Sequence, residues 1–267
     1  MRVSTHNATF QQWQALLENR NKRHRARRFV VQGVRPIDEA VAAGWTVLEW
    51  LVRDDQNLSE WADGHASKGA QRYEVAPDLM AELGGKDDGV PELLAVVEMP
   101  ADDLGRLSVE RDFLGVLFDR PSNPGNVGTV LRSLDAFGGS GLVVTGHATD
   151  PYDPRSVRSS TGSLFRVPTV RVGSNDDVLA WVASVREQGM PLRLLGTDES
   201  GDARIDEVDL TGPVLLLTGN ETRGLSRAWL DACDELVSIP MAGHASSLNA
   251  ASATSIALYE AARQRRG

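Results

Sequence analysis

Three stretches in the second half of the chain set ligand-orienting side chains beside glycines. The last, IPMAGHASSLN at residues 239–249, follows a short apolar strand at residues 236–239. Pro240 stops that strand, because proline has no N–H for a ladder. A helix follows, with Leu248, Ala251, Ser255, Leu258 and Tyr259 at spacings of three and four. N–H groups point out of a helix N-terminus, and the small residues of the loop let a ligand approach them. An ordinary strand–loop–helix unit of an α/β domain looks the same, so this stretch alone decides nothing.

The other two stretches share its character. DRPSNPGNVGTVLR, residues 119–132, follows a strand and opens a helix whose Val127, Val130, Leu131, Leu134 and Phe137 pack inward. Thr129 and Arg132 are left off that apolar face. The spacing Gly125-x-x-Gly128 is not the G-x-G-x-x-G of a dinucleotide site. LLTGNETRGLS, residues 216–226, contains G-x-x-x-x-G, but Leu225 stands where a phosphate-binding lysine must be, which excludes a nucleotide-triphosphate loop. Ligands of open α/β sheets lie beyond the carboxyl ends of strands, where all three stretches fall. Arg158, Ser159 and Gly162 lie in a further Ser/Gly-rich segment that reads as a loop.

These stretches need strands to carry them. Unbroken apolar runs at 114–118, 142–144, 192–195, 214–217 and 236–239 alternate with helical patterns at 127–137, 177–188, 226–233 and 248–266. This predicts a parallel sheet covered on both faces. The polar residues 99–111, with Pro100 and Gly105, read as a linker. Residues 1–98 alternate shorter strands and helices, which predicts a small α/β domain before a larger one at 112–267.

The composition, 41% apolar and 24% charged, is that of a globular protein. No apolar run spans a bilayer, and the polar start carries no secretory signal. One cysteine, Cys233, excludes an intrachain disulfide and suits a reducing cytoplasm. Five scattered histidines give no metal-ligand spacing. Net charge is −9, yet residues 1–30 carry +6 and the remainder −15. Arg20, Lys22, Arg23, Arg25, Arg27 and Arg28 put six cations into nine residues with no acid among them. Such a run is expected to meet RNA phosphates, although a solvated charged face is the commoner meaning of a charge run.

Taken together, the three stretches resemble the motifs of the SpoU-type RNA ribose 2′-O-methyltransferases of the SPOUT superfamily. The first motif, N-P-x-N-x-G-x-x-x-R, is met by Asn123, Pro124, Asn126, Gly128 and Arg132. The second, G-N-E-x-x-G-L, is met by Gly219, Asn220, Glu221, Gly224 and Leu225. The third is met by Ile239, Pro240, Met241, Gly243, Ser247, Leu248 and Asn249. The family usually continues with Val-Ser, where this chain has Ala250-Ala251 and Ser252 one place later. The first half more loosely resembles the ribosomal-protein-like (L30e-like) domain that precedes many of these enzymes. Throughout its length, including the segments FQQWQALLENRNKR and YDPRSVRSSTGS, the chain is similar to the avilamycin-resistance type of 23S rRNA ribose methyltransferase.

The resemblance implies a C-terminal parallel-sheet domain tied in a trefoil knot, a homodimer, RNA as substrate and S-adenosyl-L-methionine as methyl donor, with no metal. It implies that Thr218, Gly219, Asn220, Ile239, Met241, Ser247 and Leu248 hold the donor. Asn126, Arg132, Glu221, Ser247 and Asn249 are then the catalytic candidates. A ribose hydroxyl is a weak nucleophile until a base or a supporting charge activates it. An arginine side chain stays protonated, so Arg132 suits an anchor better than a base. A 23S rRNA nucleotide is the expected target, with ribosome-targeting antibiotic resistance as a possible role. The alternatives are tRNA as substrate, an inactive RNA-binding protein of the same fold, and a different nucleotide-binding α/β enzyme such as a dehydrogenase.

Overall fold

The structure, a computed structural model, describes residues 1–266 except 56, 68 and 86–88. Its contacts divide the chain into two compact units, Met1–Pro100 with Tyr152–Phe165, and Ala101–Pro151 with Arg166–Gly267.

The first unit is built on a mixed five-stranded sheet. Its strands are β1 (Arg2–Val3), β2 (Arg28–Val31), β3 (Val47–Arg53), β4 (Gln71–Val75) and β5 (Leu93–Glu98), in the order β1-β4-β3-β5-β2. Helix α1 (Ala8–Glu18) buries Phe10, Trp13 and Leu16 against Val30, Leu51 and Val96. Asn19 closes α1 and caps α2 (Arg20–Ala26), its side chain accepting from the Lys22 N–H at 3.1 Å. Most of the basic run is therefore a short helix, with Arg27 as its C-cap and Arg28 at the start of β2. Helices α3 (Val34–Ala42), α4 (Glu60–Ala66) and α5 (Pro77–Gly84) complete the chain order here.

The second unit holds seven strands, all parallel where they pair. They are β6 (Leu114–Asp119), β7 (Gly141–Thr145), β8 (Thr169–Val172), β9 (Arg193–Thr197), β10 (Ala203–Arg204), β11 (Val214–Thr218) and β12 (Glu235–Ser238). Their order is β10-β12-β9-β11-β6-β7-β8. Every residue of β6, β7 and β11 is buried, as expected of strands covered on both faces. On one face Leu117, Val143, Leu215 and Leu217 pack with Val178 and Val182 of α8 (Asn175–Glu187) and Trp229 of α9 (Arg227–Ala232). Strand alternation sends Val116, Leu216 and Thr218 to the opposite face, where Thr218 bonds α10 (Ala250–Arg265), which packs on α6 (Pro124–Ala136).

Three expectations need correcting. The linker expected at 99–111 is not free: Leu107 is buried, and Arg106 donates to the Thr169 carbonyl at 2.9 Å. The loop expected around Arg158 is helix α7 (Pro154–Ser160), capped by the Asp153 side chain with Pro154 in its first turn. The division expected at 98 and 112 also misses that Tyr152–Phe165 pack with the first unit. There the rings of Phe29 and Tyr152 lie 4.9 Å apart, and Trp45 Nε1 donates to the Phe165 carbonyl at 2.9 Å.

Candidate functional site

Parallel pairing puts the carboxyl ends of β9, β11 and β12 on one edge of the second sheet, with β6 beside β11. The loops that follow them form a cleft of about 380 Å³, within the range of small-ligand pockets. Thr218, Gly219 and Asn220 form its wall after β11. Ile239, Met241, Ser247 and Leu248 form the wall after β12. Asp198, Glu199 and Arg223 add charge to the lining, and Ala250 and Ala253 of α10 close it. All seven residues expected to hold the donor therefore line one cleft.

The loop after β11 is shaped by its own bonds. Asn220 and Gly224 exchange backbone bonds of 3.0 and 2.9 Å. The Asn220 side chain accepts from the Thr222 and Arg223 N–H groups and donates to the Arg120 carbonyl at 2.7 Å. Gly219 is needed for space. A Cβ there would overlap the backbone of Gly224 and Leu225, so the chain's own loop excludes a side chain before any ligand does. Gly219→Ala should open the loop, destabilise the protein by about 1–3 kcal/mol and abolish donor binding. Calorimetric titration finding unchanged affinity would remove this account. The Thr218 hydroxyl is committed: it donates to Thr254 Oγ1 at 2.7 Å, whose own proton goes to the Ala250 carbonyl.

Glu221 gathers the loop after β6. Its carboxylate accepts from the Ser122 N–H at 3.0 Å, the Ser122 hydroxyl at 2.7 Å, the Asn123 N–H at 3.1 Å and Asn126 Nδ2 at 3.0 Å. Burial pushes its pKa up, but the bonds from the Ser122 hydroxyl, backbone N–H groups and the Asn126 amide outweigh this and hold it below the usual carboxylate range. A carboxylate so saturated is an organiser, not a general base. Asn126 is buried, and its Oδ1 accepts from Asn249 Nδ2 at 3.3 Å. Asn249 also caps α10 through the Ala251 and Ser252 N–H groups. Glu221, Asn126 and Asn249 thus link all three stretches.

Ser247 is exposed on the cleft wall and outside this chain of bonds. Arg132 is exposed on α6 and makes no side-chain hydrogen bond or ion pair among the described residues. It stands six residues, about 9 Å of helix, beyond Asn126 and lines no part of the cleft. At the departure after Asn249, Ala251 is buried. Ser252 points about 100° around the helix and is exposed, so it does not replace the missing hydroxyl. Burial, with Asp234 beside it, pushes the Cys233 thiol up to about 11, which leaves it protonated at neutral pH.

The basic run fares differently. Arg23 is buried and donates to the Leu16 and Leu17 carbonyls at 2.8 and 3.1 Å, with Asp153 at 3.8 Å. Arg27 donates to the Met99 carbonyl, and Arg28 pairs with Glu49 at 2.9 Å. The run has no acid of its own, and Arg23 and Arg28 meet acids distant in the chain instead. Of the six cations, Lys22 and Arg25 are exposed with no side-chain partner among the described residues, while Arg20 is engaged.

Comparison with known proteins gives the arrangement a family. Residues 114–259 match the SpoU rRNA Methylase family, and residues 7–95 match the SpoU L30e-like domain. The chain belongs to the SpoU rRNA methylase family. It is 58% identical to the 23S rRNA (uridine(2479)-2′-O)-methyltransferase of Streptomyces viridochromogenes, over 99% of this chain and 92% of that one. The crystal structure of the SpoU methyltransferase AviRb from that organism, in complex with AdoMet, matches with a TM-score of 0.95 over 98% of this chain and 99% of that one, at 58% identity. An AdoMet-bound rRNA methyltransferase from Sinorhizobium meliloti matches with a TM-score of 0.86 at 28% identity, over 98% and 97% of the two chains. The α/β architecture read from the sequence, an L30e-like domain before a parallel-sheet SpoU domain, is that of these relatives.

The asparagine–glutamate chain was legible as motif residues. Asp119 and Arg120 were not singled out, although they bind the same loops. Asp119 is buried at the end of β6 and accepts from the Ser226 N–H at 2.8 Å, while Arg120 Nη2 donates to the Gly224 carbonyl at 3.1 Å. Among the described residues, no group of three His, Cys, Asp or Glu could hold a metal, and no helix is long and apolar enough to cross a membrane.

Proposed function

We propose that this protein methylates the ribose 2′-hydroxyl of a 23S rRNA nucleotide, using S-adenosyl-L-methionine, as a cytoplasmic homodimer. A role in ribosome-targeting antibiotic resistance and the family's trefoil knot belong to the same proposal. The observation that carries it is the 58% match to a 23S rRNA 2′-O-methyltransferase along 99% of the chain, so the similarity spans both units. An extended match of this kind favours rRNA over tRNA.

The cleft fits the donor. Its apolar wall of Val237, Ile239, Met241 and Leu248 suits a flat base, and backbone after Gly219 and Ile239 offers polar contacts. When bound, the donor supplies an electrophilic methyl on a sulfonium. Asn126, held by Glu221 and Asn249, presents a fixed carboxamide near the cleft. Arg132, uncommitted on α6, is free to anchor a phosphate and support the charge that develops on the attacking oxygen. Dimerisation is supported by two large apolar side chains left open three residues apart on α10, Ile256 and Tyr259, which are 40% and 50% exposed.

The test is transfer of a tritiated methyl group to 23S rRNA, with the labelled nucleotide mapped and its ribose identified. Label on the ribose of one 23S nucleotide is expected. Label confined to tRNA would replace the substrate, and no label with an intact donor complex would favour an RNA-binding protein without activity.

RNA contact in the first unit should now rest on Lys22 and Arg25. Replacing both with alanine is expected to weaken rRNA binding and to flatten its salt dependence by about one and a half units of slope. Donor affinity should stay as it was. An unchanged slope would dismiss this face of α2 as an RNA contact. Arg23→Ala, by contrast, is expected to reduce folding stability, because its guanidinium serves the last carbonyls of α1.

A further inference from the structure

Asp119 and Arg120 stand where β6 ends, between the loop that carries Asn126 and the loop that carries Glu221. Asp119 is 1% exposed, and its carboxylate faces donors from three directions. Arg120 Nε and Nη2 reach it at 3.1 and 2.9 Å, the Ser226 N–H at 2.8 Å, and Thr145 Oγ1 at 3.4 Å. Arg120 then extends across the sheet edge. Its Nη2 donates to the Gly224 carbonyl at 3.1 Å, and its own carbonyl accepts from Asn220 Nδ2 at 2.7 Å. The two residues that define the 219–224 loop by their mutual backbone bonds, Asn220 and Gly224, are therefore both held by Arg120.

The backbone supports a specific role. Arg120 has φ of 51°, the left-handed region that an arginine adopts only at a cost. Gly146 accommodates it, since a Cβ at that position would come within 2.7 Å of Arg120 Cγ. A surface arginine placed only for solubility has no reason to occupy a strained backbone and a fitted recess. Strained, over-determined residues cluster where a structure must hold one geometry.

We propose that Arg120 is a positioning residue for methyl transfer. It clamps the 219–224 loop to the end of β6, so that the donor cleft and the Glu221–Asn126–Asn249 chain keep one register. It touches neither reactant on this account and acts through Gly224 and Asn220. The inference rests on reading the cleft as the donor site.

The test uses the full chain with Arg120→Gly and Arg120→Lys. Glycine removes the guanidinium and suits the positive φ, so the side-chain half of the clamp, on Asp119 and Gly224, is lost while the backbone carbonyl that holds Asn220 remains. Leaving buried Asp119 without its cation should lower the thermal midpoint, in part offset by the relieved backbone, while in the folded variant donor Kd by calorimetry rises about tenfold or more and kcat falls. Ethylguanidinium added to the glycine variant should restore part of the donor affinity. Lysine keeps the charge beside Asp119 but lacks the fork that serves Asp119 and Gly224 together, so donor affinity should fall between the two. Wild type that does not bind the donor would overturn the reading of the cleft. A wild type that binds it, with a folded glycine variant binding within about twofold, would overturn the role of Arg120. If the glycine variant does not fold, the lysine variant decides, and wild-type donor affinity there would overturn the role as well.

Discussion

Arg132→Ala is expected to cut methyl transfer by about 10²- to 10³-fold while the melting curve and donor affinity stay at wild-type values. The separation follows from where the side chain sits. Arg132 is exposed on α6 and its side chain is bonded to no described residue, so its removal leaves no buried group unpaired. Surface changes of that kind usually stay within about 0.5 kcal/mol. It also lies outside the cleft wall, so the donor loses no contact. What the variant loses is an uncommitted cation available to the RNA. Arg132→Lys distinguishes the possible roles. An anchor should keep part of its function as a point charge, although the fork that grips a phosphate in two places is lost. Single-turnover assays with saturating donor and rRNA read the chemical step directly. Retention of more than about a tenth of the wild-type rate would remove Arg132 from the reaction.

The parts of this molecule that were legible in its sequence share a physical cause. Strands β6, β7 and β11 are buried on both faces, so they are written as unbroken apolar runs. The two-residue strands β1 and β10 are too short to leave any pattern. Helix α7 was hidden by its polar composition. Its signal was an aspartate followed by proline, Asp153-Pro154, which caps and starts the helix. The motif residues were legible by type and spacing, but their duties were not. Gly219 is small because its own loop folds back on it. Arg23 reads as one cation in a basic run, yet it is buried under the end of α1. The Asp119–Arg120 clamp depends on β6 lying beside β11 about a hundred residues later. Local periodicity carries no trace of such a pairing.

Glu221→Gln is expected to have the second large effect, and through a different route. Each carboxylate oxygen faces donors only. One accepts from the Ser122 and Asn123 N–H groups and Asn126 Nδ2, the other from the Ser122 N–H and hydroxyl and Asn220 Nδ2. Either orientation of a glutamine amide therefore turns an NH₂ group toward two or three donors. A buried donor such as the Asn126 amide, left without its acceptor, costs about 1–3 kcal/mol. Asn126 is then free to turn, and Asn249 loses its partner. The expected result is a lower melting temperature, weaker donor binding and a fall in kcat of about 10²-fold. The pH dependence has a fixed sign. The folded pKa of Glu221 lies below its ordinary value, so its stabilisation is complete above the unfolded value of about 4.3. It is lost as the pH falls through the lower folded value. Wild type and variant should therefore differ by a constant amount from pH 5 to 8, and converge in stronger acid as the wild-type carboxylate protonates. Melting curves across that range decide it. A gap between the two proteins that closes near pH 6 would mean that Glu221 titrates as a base in the folded state, and its role as a saturated organiser would have to be given up.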